Sequence, residues 1–424
     1  MADRAATCAG CGCGCDDIEV AVGAQALEGL TGTCRLGDAW FAERTADAPP
    51  PARIDGREVD VAEAVEVAAA ILSEARLPLV CGLHQTDCES QRAAVALAEA
   101  IGAVIDPGDG ATGSAAQAFG LSTATFGDVR DRAELVVAWR ADPVVSHPRL
   151  LPRLRLDRAG RAAGNRGPER VLVVVDAERT ATADEADVFI ELPPALDFEA
   201  LWAMRALERD VAIDRDLAAR LPLDALGELA ARLRSCPYGA VLYGSGLAAT
   251  ADGYVNALAL LALVRDLART AHVVALALRQ EGNARGAEDV LAWQTGYPSA
   301  VSFARGHPRA QPGEFSAADV LERGDADAAL IVGFDALGQL SPRAAAHLRG
   351  IPTIVVSPRA TETAAVARVA FGTAAAGVYR EGTIHRMDGV PVPLRAPLAS
   401  SRAGDREVLA AIAQRVARAR EASA

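Results

Sequence analysis

Four cysteines near the N-terminus are spaced for metal chemistry. Cys8, Cys11 and Cys15 form a C-x2-C-x3-C run, and Cys34 follows after 18 intervening residues, inside Thr33-Cys34-Arg35-Leu36-Gly37. A cubane iron-sulfur cluster needs four thiolates converging on tetrahedral corners. One short glycine-rich turn supplies three of them and a later loop the fourth. Gly10, Gly12 and Gly14 provide the permissive backbone for such a turn. A structural zinc site is the alternative, but such sites usually join two short knuckles, and a single C-x2-C is present here. Small unliganded core residues are the third reading. It sits poorly with Cys8, Cys11, Cys13 and Cys15 crowded among glycines.

Weaker candidates follow along the chain. Cys81 and Cys88 flank a strand-to-helix turn and read as buried thiols before they read as a metal clip. Tyr243-Gly244-Ser245-Gly246 closes an apolar run, so Gly244, Ser245 and Gly246 are candidate cofactor-binding residues whose backbone could approach a phosphate. Short glycine-rich turns are common after strands in any α/β protein. His147 and His307 stand in loops beside arginines, where an anionic ligand would be met; hydrogen-bonded loop histidines are the plainer reading.

These residues need a scaffold, and the chain is long enough to build one. With 424 residues, 51% of them hydrophobic, it can bury at least two cores of ordinary domain size. A net charge of -13 with no basic stripe argues against a nucleic-acid partner. The N-terminus reaches the polar cysteine stretch before any apolar signal segment forms, and runs such as Val171 to Val175 are of strand length. A cytoplasmic protein without a membrane anchor is therefore expected, with its thiols reduced and available to metal.

Beyond the stiff Asp47-Ala48-Pro49-Pro50-Pro51 segment, apolar runs alternate with helix-period stretches, the pattern of βαβ units. Helices are expected over 61–75, 89–101, 197–208 and 224–233, with a terminal helix from Asp405. Strands are expected over 79–82, 103–106, 135–139, 171–176, 240–244, 273–278, 329–333 and 353–357. Residues 161–167 read as an exposed loop. The expected fold class is α/β. A small N-terminal cysteine-rich, iron-sulfur-type module (1–55) precedes two doubly wound, Rossmann-like parallel-sheet units, at 56–235 and at 236–424 with the C-terminal helix.

The cysteine stretch, with Asp16-Asp17-Ile18-Glu19-Val20 after Cys15 and Cys34-Arg35-Leu36-Gly37 later, resembles the N-terminus of the formylmethanofuran dehydrogenase B subunit. That family falls within the molybdopterin oxidoreductase superfamily. Gln294-Thr295-Gly296-Tyr297-Pro298, the Phe303 to Arg309 string and Pro312-Gly313-Glu314-Phe315 resemble its midsection. Glu381-Gly382-Thr383 with Arg386-Met387-Asp388-Gly389-Val390-Pro391 resembles its C-terminal signature.

The resemblance implies a 4Fe-4S cluster on Cys8, Cys11, Cys15 and Cys34. It also implies a molybdopterin guanine dinucleotide carrying Mo or W, which in the family reduces carbon dioxide to formate. Val173-Val174-Val175-Asp176 with Arg179-Thr180-Ala181-Thr182 is similar to the superfamily strand and loop that grip the guanosine end, so Asp176, Arg179 and Thr180 become cofactor-binding candidates. The plainer reading of Asp176 is a helix cap. His385 stands where the family more usually has Tyr and receives no catalytic role.

One departure matters. The family's metal-ligating cysteine lies in a Cys-His-Gly string after the strand at 102–106, and here the chain reads Pro107-Gly108-Asp109-Gly110-Ala111-Thr112-Gly113-Ser114. No sulfur donor is present there, and Asp109 is the remaining candidate ligand. The departure is similar to that of the bacterial formyltransferase/hydrolase complex, whose B subunit works without redox chemistry. The expected role is thus a structural subunit of such a complex. Its partners would be amidohydrolase-type and formyltransferase-type subunits, and no residue of this chain would be catalytic. A redox-active dehydrogenase subunit and an iron-sulfur electron-transfer subunit are the alternatives.

Overall fold

Side chains that alternate along buried strands decide the architecture. In the strand Pro78–Gly82, Leu79 and Cys81 join one apolar cluster and Val80 another; Ala329 and Ile331 part from Leu330 and Val332 in the same way. A strand with both faces covered reads as an unbroken apolar run, as these sequences do. Truncating a side chain such as Leu330, which is fully buried, to alanine would cost about 2–5 kcal/mol.

The computed structural model describes every residue except 1, 24–25, 47–48, 109, 158–169, 249–252 and 424. The chain divides into two compact units. The first comprises residues 1–110, 281–386 and 391–424, and carries a nine-stranded mixed sheet. Its centre is parallel, in the order Val104–Asp106, Pro78–Gly82, Ala328–Val332, Thr353–Ser357 and Val369–Gly372. Val301–Ser302 and Ala52–Ile54 add to its two sides in antiparallel fashion.

The helices Val61–Glu74, Cys88–Ile101 and Asp405–Ser423 set apolar faces into one cluster with these strands. Asp60 and Asp87 cap the first two of them through side-chain bonds to Ala62 N and Ser90 N. Gly102, at φ +69°, ends the second in a left-handed cap.

The second unit comprises residues 111–280 and 387–390. Its sheet is parallel throughout, in the order Val188–Glu191, Val171–Asp176, Leu135–Trp139, Gly239–Tyr243 and Val273–Ala277. The chain steps outward from Leu135–Trp139 to one edge, then returns to build the other half from Gly239–Tyr243. The strand order therefore reverses between those two strands. In open α/β sheets, ligands bind beyond the carboxyl ends of the strands at such a point.

The expected α/β class with parallel sheets is what the molecule has. Each of the expected strands has a counterpart; those over 135–139, 171–176 and 353–357 have the expected bounds. The division differs. The sequence reading cuts at 235/236, but Gly239–Tyr243 pairs directly with Leu135–Trp139, so that cut falls within one sheet. Residues 1–55 also lie within the first compact unit. Their antiparallel strand Ala2–Cys8 is tied to the C-terminal region, where Thr7 Oγ1 donates to Pro393 O at 2.7 Å and Arg4 to Pro397 O at 2.8 Å. The loop expected at 161–167 and residues 47–48 of the proline segment lie outside the described residues. No helix among the described residues is long and apolar enough to cross a membrane.

Candidate functional site

In the first unit, Cys8 ends the strand Ala2–Cys8 and Cys15 begins Cys15–Val22, and the antiparallel register sets the two opposite each other. The turn between them carries Cys11. Cys34 is the N-cap residue of the helix Arg35–Thr45, where unpaired N–H groups favour negative charge.

Two close approaches fix the arrangement. A Cβ on Gly37 would lie 3.2 Å from Cys8 Sγ, a tight contact, and one on Gly282 only 1.9 Å from Ala9 O, a backbone clash that makes glycine necessary there. Burial pushes the Cys8 thiol up to about 12, and Cys15, Cys11 and Cys34 are near enough for their charges to raise it further. Four thiols gathered in a sheltered place, which would repel one another once ionised, suit a polycationic iron-sulfur group. Among the described residues, no three His, Cys, Asp or Glu side chains gather closely enough for a single metal ion. A cube, with its ligands on separate corners, spreads them more widely.

Around this turn sit two residues that sequence reasoning missed. Trp40 and Arg44 lie on the Arg35–Thr45 helix and are almost fully buried. The Arg44 guanidinium stacks 4.4 Å from the Trp40 ring centre and donates to Gln85 Oε1 at 2.7 Å. Gln85 in turn donates to Glu281. Burial, helped by Arg359, pulls the Arg44 pKa down to about 9, and Glu43, Cys8 and Glu281 oppose the drop. A lone arginine in a helix carries no sequence signal of this role.

In the second unit, the reversal point holds a cleft of about 180 Å³, lined among others by Ala141, His147, Gly244, Ser245, Leu278 and Gln280. Gly244, Ser245 and His147 are the sequence-predicted residues that reach it. Asp176, Arg179, Thr180 and Gly246 are not among its lining residues. Thr180 caps the short helix Ala181–Glu185 by accepting from Ala183 N at 3.2 Å, and Arg179 donates to Ala183 O and stacks on Phe189.

Asp176 accepts from Ala177 N at 2.8 Å and from Arg140 at 3.2 Å. Arg140 is the pivot that sequence reasoning missed. Its backbone stands at φ +48°, and its side chain bridges Asp176, Asp197 and Leu192 O. Gly244 must be glycine because a Cβ there would lie 2.4 Å from Arg140 O.

His147 is held on both ring nitrogens, by Ser146 Oγ at 2.9 Å and Arg279 O at 2.7 Å, and burial lowers its pKa. The neutral imidazole this implies donates from Nε2 to the carbonyl. His307 is exposed and meets Arg305 O. His385 bonds Asp289 at 2.7 Å, which together with Arg285 holds that carboxylate below its usual range against burial. Cys81 and Cys88 are buried free thiols, each pushed by burial up to about 12.

The 107–114 segment offers no thiolate. The Asp106 carboxylate before it is fully committed to backbone, accepting from Ala300 N at 3.1 Å and Ala317 N at 2.8 Å. The buried Thr112 hydroxyl accepts from Arg279. Asp109 lies outside the described residues. These donors do not fit a soft metal that relies on a protein thiolate.

No protein-family model matches the chain. It is 34% identical over 403 residues to the B subunit of the tungsten-containing formylmethanofuran dehydrogenase 2 of Methanocaldococcus jannaschii, a match covering 92% of this chain and 93% of that one. Against the B subunit of the formyltransferase/hydrolase complex Fhc of Methylorubrum extorquens, identity is 29% over 293 residues, covering 65% of this chain and 73% of that one. Among solved structures, the formyltransferase/hydrolase complex FhcABCD from Methylorubrum extorquens, in complex with methylofuran, matches with TM-score 0.69 and 26% identity. That match covers 87% of this chain and 99% of its counterpart. Acetylene hydratase from Pelobacter acetylenicus matches with TM-score 0.73 and 13% identity over 98% of this chain and 69% of that one, a likeness of fold alone.

Proposed function

The chain belongs to the family of formylmethanofuran dehydrogenase B subunits, and from there we propose that it is a non-redox structural subunit of a formyltransferase/hydrolase complex. In that scheme a formyl group passes from formyl-tetrahydromethanopterin to a methanofuran-type amine, and an amidohydrolase-type partner releases formate. This chain holds the partners together. The observation that carries the reading is the 107–114 segment, which has no cysteine or histidine where the family ligates its metal. The commitments of Asp106 and Thr112 support it.

Cys8, Cys11, Cys15 and Cys34 would hold a 4Fe-4S cluster, which supplies one-electron transfer in the family and a cross-link between loop and helix here. Gly244 and Ser245, with Asp176 behind Arg140, would meet the nucleotide end of any pterin retained.

A second reading, a redox-active dehydrogenase subunit, is favoured by the greater identity and coverage with the tungsten-containing relative. Metal analysis of the native complex, purified without air, separates the two. Absence of stoichiometric tungsten and molybdenum, with formate still released from the formyl donor, is the result expected. Stoichiometric metal with viologen-linked formate oxidation would establish the second reading instead.

A further inference from the structure

The cysteine turn has a counter-charge and a spare hydrogen-bond donor built beside it, on one face of the Arg35–Thr45 helix. Gly37, Trp40 and Arg44 follow at helical spacing along that face. Gly37 abuts Cys8 Sγ, and a Cβ on Gly10 of the cysteine turn would lie 3.2 Å from Trp40 Cβ. The Trp40 ring is sealed between Phe41, at 4.8 Å, and Arg44, at 4.4 Å. Its Nε1 is a buried donor with no acceptor among the described residues. An indole N–H in that state carries an unrelieved desolvation cost. Arg44 donates to Trp40 O and Gln85 Oε1, and the carboxylate of Glu281 reaches it only through Gln85. The carboxylate of Glu43 stands 3.9 Å from Arg44, half exposed, and is already engaged by Arg359 at 2.6 Å.

We infer that Trp40 and Arg44 set the reduction potential of an iron-sulfur cluster held by Cys8, Cys11, Cys15 and Cys34. The inference rests on the cluster reading above. With four thiolates, the oxidised cube is a dianion and one added electron makes it a trianion. A fixed positive charge in a sheltered medium stabilises the trianion more, and an N–H donated to sulfur does the same. Both residues therefore raise the midpoint potential. They are positioning residues: neither ligates iron.

The test is an anaerobic redox titration of the reconstituted full-length chain, followed by electron paramagnetic resonance, with iron and sulfide measured on each sample and dithionite as reductant. Arg44→Gln should shift the midpoint to more negative values. At the wild-type midpoint its ratio of reduced to oxidised cluster should fall at least about threefold. Arg44→Lys should recover part of the shift, and Trp40→Phe, which keeps the ring and removes the donor, should shift it in the same direction by less. Should Arg44→Gln fail to fold, Trp40→Phe and Arg44→Lys still decide the matter. A full iron complement with unchanged midpoints in the variants overturns the inference and leaves the cluster standing. A wild-type chain that takes up no iron and sulfide overturns the cluster reading and this inference with it.

Discussion

Arg140 Nε donates to both carboxylate oxygens of Asp197, at 2.9 and 3.1 Å, and both side chains are almost wholly removed from solvent. The same carboxylate accepts from Trp139 Nε1 at 2.9 Å. Burial pushes the Asp197 carboxyl above its ordinary range, and the Arg140 hydrogen bonds and charge pull it back. The pair ties the end of the strand Leu135–Trp139 to the start of the helix Asp197–Leu207.

Removing one member should be costly because it strands the other charge. Asp197→Asn is expected to destabilise the protein by about 3–5 kcal/mol, while the double variant Arg140→Met with Asp197→Leu should regain much of that loss. Urea unfolding of the single and double variants checks this. Equal losses in both would mean that the ion pair itself, and not the avoidance of a lone charge, supplies the stability.

A second pair gives a pH dependence. Asp87 caps the helix Cys88–Ile101, and burial with the nearby Asp405 charge raises it from 3.8 to about 7. Asp405 is raised in the same direction while accepting from Thr86 at 2.6 Å and Thr373 at 2.5 Å. A carboxyl raised on folding favours the protonated folded state. Its contribution is full below the unfolded value, near 4, and is lost as pH climbs through about 7. Asp87→Asn keeps a capping oxygen without the charge, so the variant should gain stability over the wild type between pH 5 and pH 8. A stability difference that stays flat across that window contradicts the coupling.

How much of this was legible in the sequence follows from what each signal encodes. Val171–Asp176 and Thr353–Ser357 were legible to the residue because strands covered on both faces are unbroken apolar runs between polar breaks. Which strands pair was not, since nothing local in Pro78–Gly82 announces its neighbour Ala328–Val332, some 250 residues on. Hence the sequential division of the chain missed a discontinuous one. The cysteine spacing carried its own message, whereas Arg140, Trp40 and Arg44 did not, because nothing local marks a single arginine or tryptophan as buried beside a site. Gly244 was singled out for a phosphate, yet its requirement here is room for the Arg140 carbonyl.

That last point is testable by itself. Gly244→Ala should lower the stability of the protein by about 1–3 kcal/mol, the range for forcing extra atoms into packed structure. Differential scanning calorimetry reads the loss. An alanine accepted without change in midpoint would show that the strand ends separate easily and that the glycine serves something other than packing.

Gly282 offers the sharper case, because the group it would strike belongs to the cysteine turn. Alanine there places a Cβ 1.9 Å from Ala9 O, between Cys8 and Cys11, and backbone atoms on both sides leave no flexible side chain to yield. The turn must move, and thiolates displaced by even a fraction of an ångström no longer meet the corners of one rigid cube. Gly282→Ala should therefore bind less iron after anaerobic reconstitution, while Gly350→Ala, at a position with nothing within 4 Å, should bind as much as the wild type. Circular dichroism on both variants separates a local effect from unfolding. Native secondary structure with full iron in Gly282→Ala would mean that the 281–283 segment does not constrain the cysteines.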